Sequence, residues 1–189
     1  MLNRRDLIAL GAVGLASPAL AQGVSARTCF TISFNRFSGS PINLADYAGK
    51  PILVVNTASL CGYTPQFTGL QKLWKEMAPR GLMMIGAPSN DFGGQEPGEE
   101  AEIMETAHTY GVAFPIVAKV KVKVKGSDAH PFYRWAAGEK PREVPQWNFH
   151  KYLIGRDGHV AASIPTAVEP MDSRVISAIE REFTSGPTG

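Results

Sequence analysis

The stretch that most restricts the fold is PILVVNTA, residues 51–58. It is a continuous apolar run, β-branched in part, with no polar alternation, which marks a strand covered on both faces. A short SLCGYTPQ segment follows, and then Phe67, Leu70, Leu73, Trp74 and Met77 fall at helical spacing until Pro79 and Gly81 stop them. Residues 82–87 form a second buried apolar run. Strand, helix and strand in that order predict a parallel pair inside a layered α/β domain.

The rest of the chain adds elements around that unit. Residues 28–37 alternate apolar and polar (Phe30, Ile32, Phe34), as a half-buried strand does, and 44–50 read as a short helical turn stopped by Gly49. A helix is expected over 97–110, with Pro97 near its start and Gly111 after its end. Residues 116–124 suggest a strand and 130–137 a short helix. Segments 147–154 and 159–164 flank Gly155-Arg156-Asp157-Gly158, a strong hairpin signal. A last helix spans 171–183, with Ile176, Ile179 and Phe183 on one face. The sum is a single α/β domain with a central mixed sheet flanked by helices. The run AKVKVKVKG at 118–126 invites reading as an anion or membrane patch, but strict Val/Lys alternation fits better a strand with one solvated face, and edge strands carry Lys to block unwanted pairing.

Arg4 and Arg5, the apolar run that follows, and Ala19-Leu20-Ala21 have the layout of a secretory signal peptide, and Arg-Arg before Asp6-Leu7-Ile8 resembles a twin-arginine export signal. The apolar stretch falls short of the ~20 residues that span a bilayer and is broken by Gly11, Gly14, Ser17 and Pro18, so cleavage is favoured over a membrane anchor. The expected division is a signal peptide at 1–21, a spacer at 22–28, a catalytic domain at 29–184 and a tail at 185–189, in a periplasmic protein with no stable membrane insertion after cleavage. The charge is nearly balanced, 19 basic against 17 acidic residues over the whole chain, which gives no argument for a nucleic-acid partner. With two cysteines, Cys29 and Cys61, the chain is no disulfide scaffold.

Cys61 stands at the strand-to-helix corner, where the amides that open the helix and the helix dipole favour a thiolate and lower a thiol pKa from about 8.5. Thr64 occupies the place of the second Cys in a C-x-x-C motif, so no short local disulfide closes there. Such a thiolate can still attack the O–O bond of a peroxide and become a sulfenic acid. LCGYT alone leaves equally open a buried cysteine acting as a small hydrophobe. Two further stretches favour the chemistry. SNDFGGQEPG at 89–98 follows the second buried strand, on the same rim as Cys61 in a parallel sheet, and carries Gln95. PQWNFHKYLIGRDG at 145–158 carries Trp147 and Asn148 at the entry to a hairpin strand. Donors on these side chains can steady a sulfur anion and the leaving oxygen.

Five collinear stretches, VVNTASLCGYTPQFTGLQ, RGLMMIGAPSNDFGGQEPG, FPIVAKV, AHPFYRWA and WNFHKYLIGRDGHV, resemble the glutathione peroxidase family in its cysteine-containing bacterial form, over about residues 30–178. The resemblance implies a thioredoxin fold, a peroxidatic Cys61 and a catalytic tetrad completed by Gln95, Trp147 and Asn148. It also implies a hydroperoxide substrate, a thiol co-substrate (glutathione or thioredoxin), no bound cofactor, and a part in the response to oxidative stress.

The chain departs from the family pattern at two places. EIMETAHTYGVAFP has Thr106, Ala107 and His108 but no Cys where many relatives carry a resolving one, and Ser89 stands where many have Cys. Cys29 matches no resolving position and reads as a packed residue. A one-Cys cycle is therefore expected, closed by an external thiol or a thioredoxin-like protein. A peroxide sensor would use the same sulfur but would be oxidised once per molecule. A disulfide oxidoreductase is disfavoured by Thr64. His108, His130, His150 and His159 lack close ligand spacing, and His150 is read as alternating along a strand, so no metal role is assigned.

Overall fold

The computed structural model describes residues 27–125 and 128–184. The expected signal peptide at 1–21, most of the 22–28 spacer and the 185–189 tail lie outside them, as does Gly126 of the lysine run.

The central sheet has four strands in the order β4-β3-β5-β6: β3 (Ile52–Thr57), β4 (Met83–Pro88), β5 (Lys151–Ile154) and β6 (Val160–Ile164). β3 runs parallel to β4 and antiparallel to β5, and β5 and β6 form the hairpin expected around Gly155–Gly158. All six residues of both β3 and β4 are buried, as continuous apolar runs require. A separate two-stranded ribbon, β1 (Ser33–Asn35) with β2 (Pro41–Asn43), sits beside the sheet.

The four helices are α1 (Gln66–Met77), α2 (Glu100–Thr109), α3 (Pro131–Glu139) and α4 (Ser173–Thr184). One sheet face, with Leu53, Val55 and Leu153, packs against Phe67, Leu70 and Leu73 of α1, Ile103 of α2, and Val175 and Ile179 of α4. The other face, with Ile52, Val54 and Ile154, packs against Phe132, Tyr133 and Ala136 of α3 and Phe34 and Ile42 of the ribbon. The mixed sheet flanked by helices is the layout expected from the sequence.

Three segments depart from their expected form. The strand expected over 28–37 is reduced to β1, because Cys29–Thr31 forms a 3-10 turn whose Cys29 N–H donates to Gly158 C=O at 3.0 Å. The strand expected over 116–124 makes one parallel bridge, Ile116 with Gly86, and then only single bonds, Ala118 N–H to Asn35 C=O at 2.8 Å and Val120 N–H to Pro88 C=O at 2.9 Å. The lysine run keeps its alternation, with Val122 buried and Lys121 and Lys123 exposed, but its amides at Val122 and Lys123 donate to Asp91 Oδ2 at 2.6 and 2.9 Å instead of to a strand. A carboxylate that outcompetes a strand partner for two amides is invisible to periodicity. His150 lies one residue ahead of β5, so it does not alternate within that strand; it is buried with its Nε2 at 2.9 Å from Ser163 Oγ.

Candidate active site

The C-terminal ends of the parallel strands β3 and β4 share one rim, and the antiparallel β5 begins there. Phe149 N–H donates to Asn56 C=O at 2.6 Å, and Asn56 N–H to His150 C=O at 3.2 Å. The three segments singled out from the sequence therefore meet at one place.

Between β3 and α1 the chain makes a tight turn around Cys61, which is 7% exposed. Tyr63 N–H donates to Cys61 Sγ at 3.4 Å. Thr64 has a structural role in this turn: its Oγ1 accepts from Cys61 N–H at 3.1 Å and donates to Ala58 C=O at 2.9 Å. The residue in the second position of the C-x-x-C spacing thus ties the turn with a hydroxyl. The sequence puts the sulfur near the amides that open the helix from Thr64 or Pro65. The Thr64 N–H instead donates to Cys61 C=O at 2.9 Å, and those of Gln66, Phe67 and Thr68 to the carbonyls of Tyr63, Thr64 and Pro65 at 2.9, 3.0 and 3.1 Å. The turn closes on itself, and the donor to sulfur is the amide of Tyr63.

Gln95 joins this turn through its backbone, its C=O accepting from Leu60 N–H at 3.0 Å. Its Oε1 accepts from Asn148 Nδ2 at 2.9 Å, and the same Asn148 nitrogen lies 3.4 Å from Phe92 C=O. The Gln95 amide is thereby oriented by its oxygen. Trp147 is 38% exposed, with its ring centroid 6.1 Å from that of Phe92. Its C=O accepts from Asn56 Nδ2 at 3.1 Å. Gly93 has φ +67°, and a β-carbon there would stand 3.2 Å from Trp147 Cη2, so the first glycine of the Gly-Gly pair is what admits the indole.

Asn148 is fully buried and precedes Phe149, the one non-glycine residue with positive φ, +62°, among those described. This strained corner is held by the bond to Asn56 and by an edge-on ring contact with Phe67 at 5.3 Å. A further holder was not singled out in the sequence. Lys151 is fully buried, and its Nζ donates to Phe149 C=O at 2.8 Å, Gln66 Oε1 at 2.7 Å and Val168 C=O at 2.8 Å. Its signal was present in WNFHKYLI: at strand period two, Phe149, Lys151 and Leu153 share a face, which puts a lysine on the core side.

A mostly apolar groove of about 440 Å³ opens beside this rim, lined by Tyr63, Trp147, His150, Ser163, Pro165 and Thr166 among others. Cys29 lies elsewhere. It packs with Ile52 and Val54 on one sheet face, whereas Cys61 packs with Leu53 and Val55 on the other. Burial pushes the Cys29 thiol up to about 12. Among the described residues no group of three or more His, Cys, Asp or Glu is placed to hold a metal ion.

A thioredoxin-type sheet with a cysteine at the β3–α1 corner, and the Gln95 loop bonded to that corner, is the layout of a thiol-dependent peroxidase. The comparisons with known proteins agree. The family model described as "Glutathione peroxidase" matches residues 29–137. The chain is 40% identical over 153 residues to the "Hydroperoxy fatty acid reductase gpx1" of Synechocystis sp., covering 76% of this chain and 89% of that one. It is 38% identical over 158 residues to the "Glutathione peroxidase-like peroxiredoxin GPX5" of Chlamydomonas reinhardtii, covering 79% and 96%. A crystal structure described as "Trgpx in apo form" matches with a TM-score of 0.66 and 34% identity over 84% of this chain and 99% of that one. The chain belongs to the glutathione peroxidase family, and it is an oxidoreductase that reduces hydroperoxides with a thiol co-substrate.

Proposed function

We propose that Cys61 is the peroxidatic residue and that Gln95, Trp147 and Asn148 complete the catalytic site. The Cys61 thiolate attacks the terminal oxygen of the hydroperoxide. An S–O bond forms and the O–O bond breaks, leaving a sulfenic acid and an alkoxide (or hydroxide) that takes a proton from water. The Gln95 amide N–H groups and the Trp147 indole N–H supply donors to the sulfur and the departing oxygen. Asn148 keeps Gln95 in orientation through the Nδ2–Oε1 bond. The observation that carries this reading is the convergence itself: the Cys61 turn and Asn148 are both bonded to Gln95.

The cycle closes with external thiol. A first thiol condenses with the sulfenic acid to a mixed disulfide and water. A second displaces it, giving back the Cys61 thiol and a disulfide product. Cys29 takes no part, since it is buried on the opposite face of the sheet. The reductant is glutathione or a thioredoxin-like protein, and the name peroxiredoxin on the Chlamydomonas relative favours the latter. The apolar groove beside Trp147 suits an organic hydroperoxide with a hydrocarbon chain, in keeping with the fatty-acid name of the Synechocystis relative. The Arg4-Arg5 leader supports export to the periplasm by the twin-arginine route, with cleavage after Ala21.

The deciding experiment is steady-state consumption of hydrogen peroxide and a fatty-acid hydroperoxide, with glutathione or thioredoxin as reductant, for the mature protein and its Cys61→Ser variant. Turnover by the parent and none by the variant is the expected result. A single stoichiometric oxidation with neither reductant sustaining it would replace the enzyme with a sensor. A Cys29–Cys61 disulfide as the main oxidised species, seen by non-reducing mass measurement, would overturn the one-Cys cycle.

A further inference from the structure

Lys151 is a fully buried ammonium with no part in the peroxide chemistry as written. It pairs with Val55 of β3 and Ile164 of β6, on the sheet face that packs against α1. Its three N–H groups meet three acceptors, one each from the start of α1 (Gln66 Oε1), the corner before β5 (Phe149 C=O) and the loop after β6 (Val168 C=O). The network continues: Gln66 Nε2 donates to Thr166 C=O at 2.8 Å, and Thr166 Oγ1 donates to Asn148 C=O at 2.8 Å. One end of this chain of bonds is the first residue of the Cys61 helix, and the other is the peptide of Asn148 and Phe149.

We propose that Lys151 is a positioning residue for the peroxidatic site, clamping the start of the Cys61 helix to the Asn148–Phe149 corner and holding that corner in its left-handed conformation. The proposal rests on the reading of Cys61 and Asn148 given above. An apolar side chain would suit a buried strand position without desolvating a charge, but it would leave three buried oxygens without donors. A charged amine is the strand residue that can serve all three.

The clamp depends on the proton. All three partners are acceptors only, so an ammonium matches them one to one. A neutral amine keeps two N–H groups and turns a lone pair toward the third oxygen. Burial brings Lys151 down to about 8, with Glu169 acting in the opposite direction. The titratable groups facing it among the described residues are Glu169, whose Oε1 lies 3.5 Å from Gln66 Nε2, and His150, the preceding residue, which burial pushes down to about 4. His150 is therefore neutral throughout the range in which Lys151 titrates, and the neighbouring strands present only Val55 and Ile164.

The test is the single-turnover rate of Cys61 oxidation by hydrogen peroxide, without reductant, from about pH 7 to pH 10. Relative to Lys151→Arg, the parent rate constant is expected to fall severalfold as pH passes about 8. Lys151→Arg, which stays charged throughout, is expected to keep the neutral rate within about threefold and to abolish the alkaline fall. Lys151→Met is expected to lose about tenfold or more at every pH and to show no alkaline fall. A parent profile that runs parallel to that of Lys151→Arg through this range overturns the proposal alone, as does a folded Lys151→Met protein with the parent rate. Should Lys151→Met fail to fold, the parent profile and the Arg variant decide. A parent Cys61 inert to peroxide at every pH would overturn the peroxidase reading itself, and this proposal with it.

Discussion

Asn148 reaches across 53 positions of chain to Gln95, its Nδ2 donating to the Gln95 Oε1 at 2.9 Å. The bond settles which end of the Gln95 amide faces Asn148. Asn148 in turn is held by the strained corner at Phe149, so the orientation of the Gln95 amide depends on a backbone conformation in a distant stretch of the chain.

Asn148→Ala is expected to free the Gln95 amide to rotate and to lower the rate of Cys61 oxidation by about tenfold or more, a loss of the size seen when one preorganised donor is disturbed. Stopped-flow measurement with hydrogen peroxide, alongside Gln95→Ala, checks it. Equal losses in the two single variants and in the double variant are expected, because both remove the same oriented amide. Losses that simply multiply would show that Asn148 acts independently of Gln95.

Thr64→Val removes a hydroxyl that serves both the Cys61 N–H and the Ala58 carbonyl while keeping the side-chain volume. Two buried backbone groups are left without partners, and the variant is expected to be less stable by about 1–3 kcal/mol. The midpoint of urea unfolding reports this directly. An unchanged midpoint would mean that the turn is held by its backbone bonds alone.

Gly158 and Gly49 both have positive φ, +82° and +79°, but their surroundings differ. A β-carbon at Gly158 would stand 2.6 Å from Phe30 Cε2 and 2.9 Å from Thr28 Cβ, whereas nothing lies within 4 Å of one at Gly49. Gly49→Ala is expected to cost about 1 kcal/mol, the left-handed strain alone, and Gly158→Ala at least about twice that. Thermal unfolding of the two variants separates strain from crowding; equal shifts would show that the Phe30 ring gives way freely.

Two histidines, one buried and one half-buried, make the fold sensitive to acid. Burial pushes His130 and His150 down from 6.5 to about 4. The unfolded chain takes up these protons near pH 6.5 and the folded chain only near pH 4, so stability falls as pH drops through that window. The His150 share is about 3 kcal/mol. Thermal midpoints measured across this range are expected to fall more steeply in the parent than in a His150→Gln variant. Parallel curves would rule out His150 as a source of the acid loss.

Much of the molecule was legible in the chain. β3 and β4 show as unbroken apolar runs, α1 as a 3.6-residue stripe, and the β5–β6 hairpin as a Gly-Arg-Asp-Gly turn, because burial pattern and turn chemistry are local properties. That Cys61 and Gln95 share a rim followed from one inference, that parallel strands end on the same side, whereas Trp147 and Asn148 enter an antiparallel strand and were joined to them by the family resemblance. The strand expected over 116–124 stops short at its far end because Asp91, 31 positions before Val122, takes the amides of Val122 and Lys123. The donor to the Cys61 sulfur was misplaced because the helix-opening amides are satisfied by carbonyls of their own turn.

Composition and spacing by themselves determined the layered α/β domain, the cysteine at a strand-to-helix corner and the segments that accompany it, since these depend on periodicity and on residue type. Only the tertiary structure decided which side chains orient one another: Thr64 as the fastening of the turn, Asn148 as the brace of Gln95, Lys151 as a buried charge among three oxygens. Those roles depend on hydrogen-bond distances between residues tens of positions apart, and a distance of that kind exists only once the chain has packed.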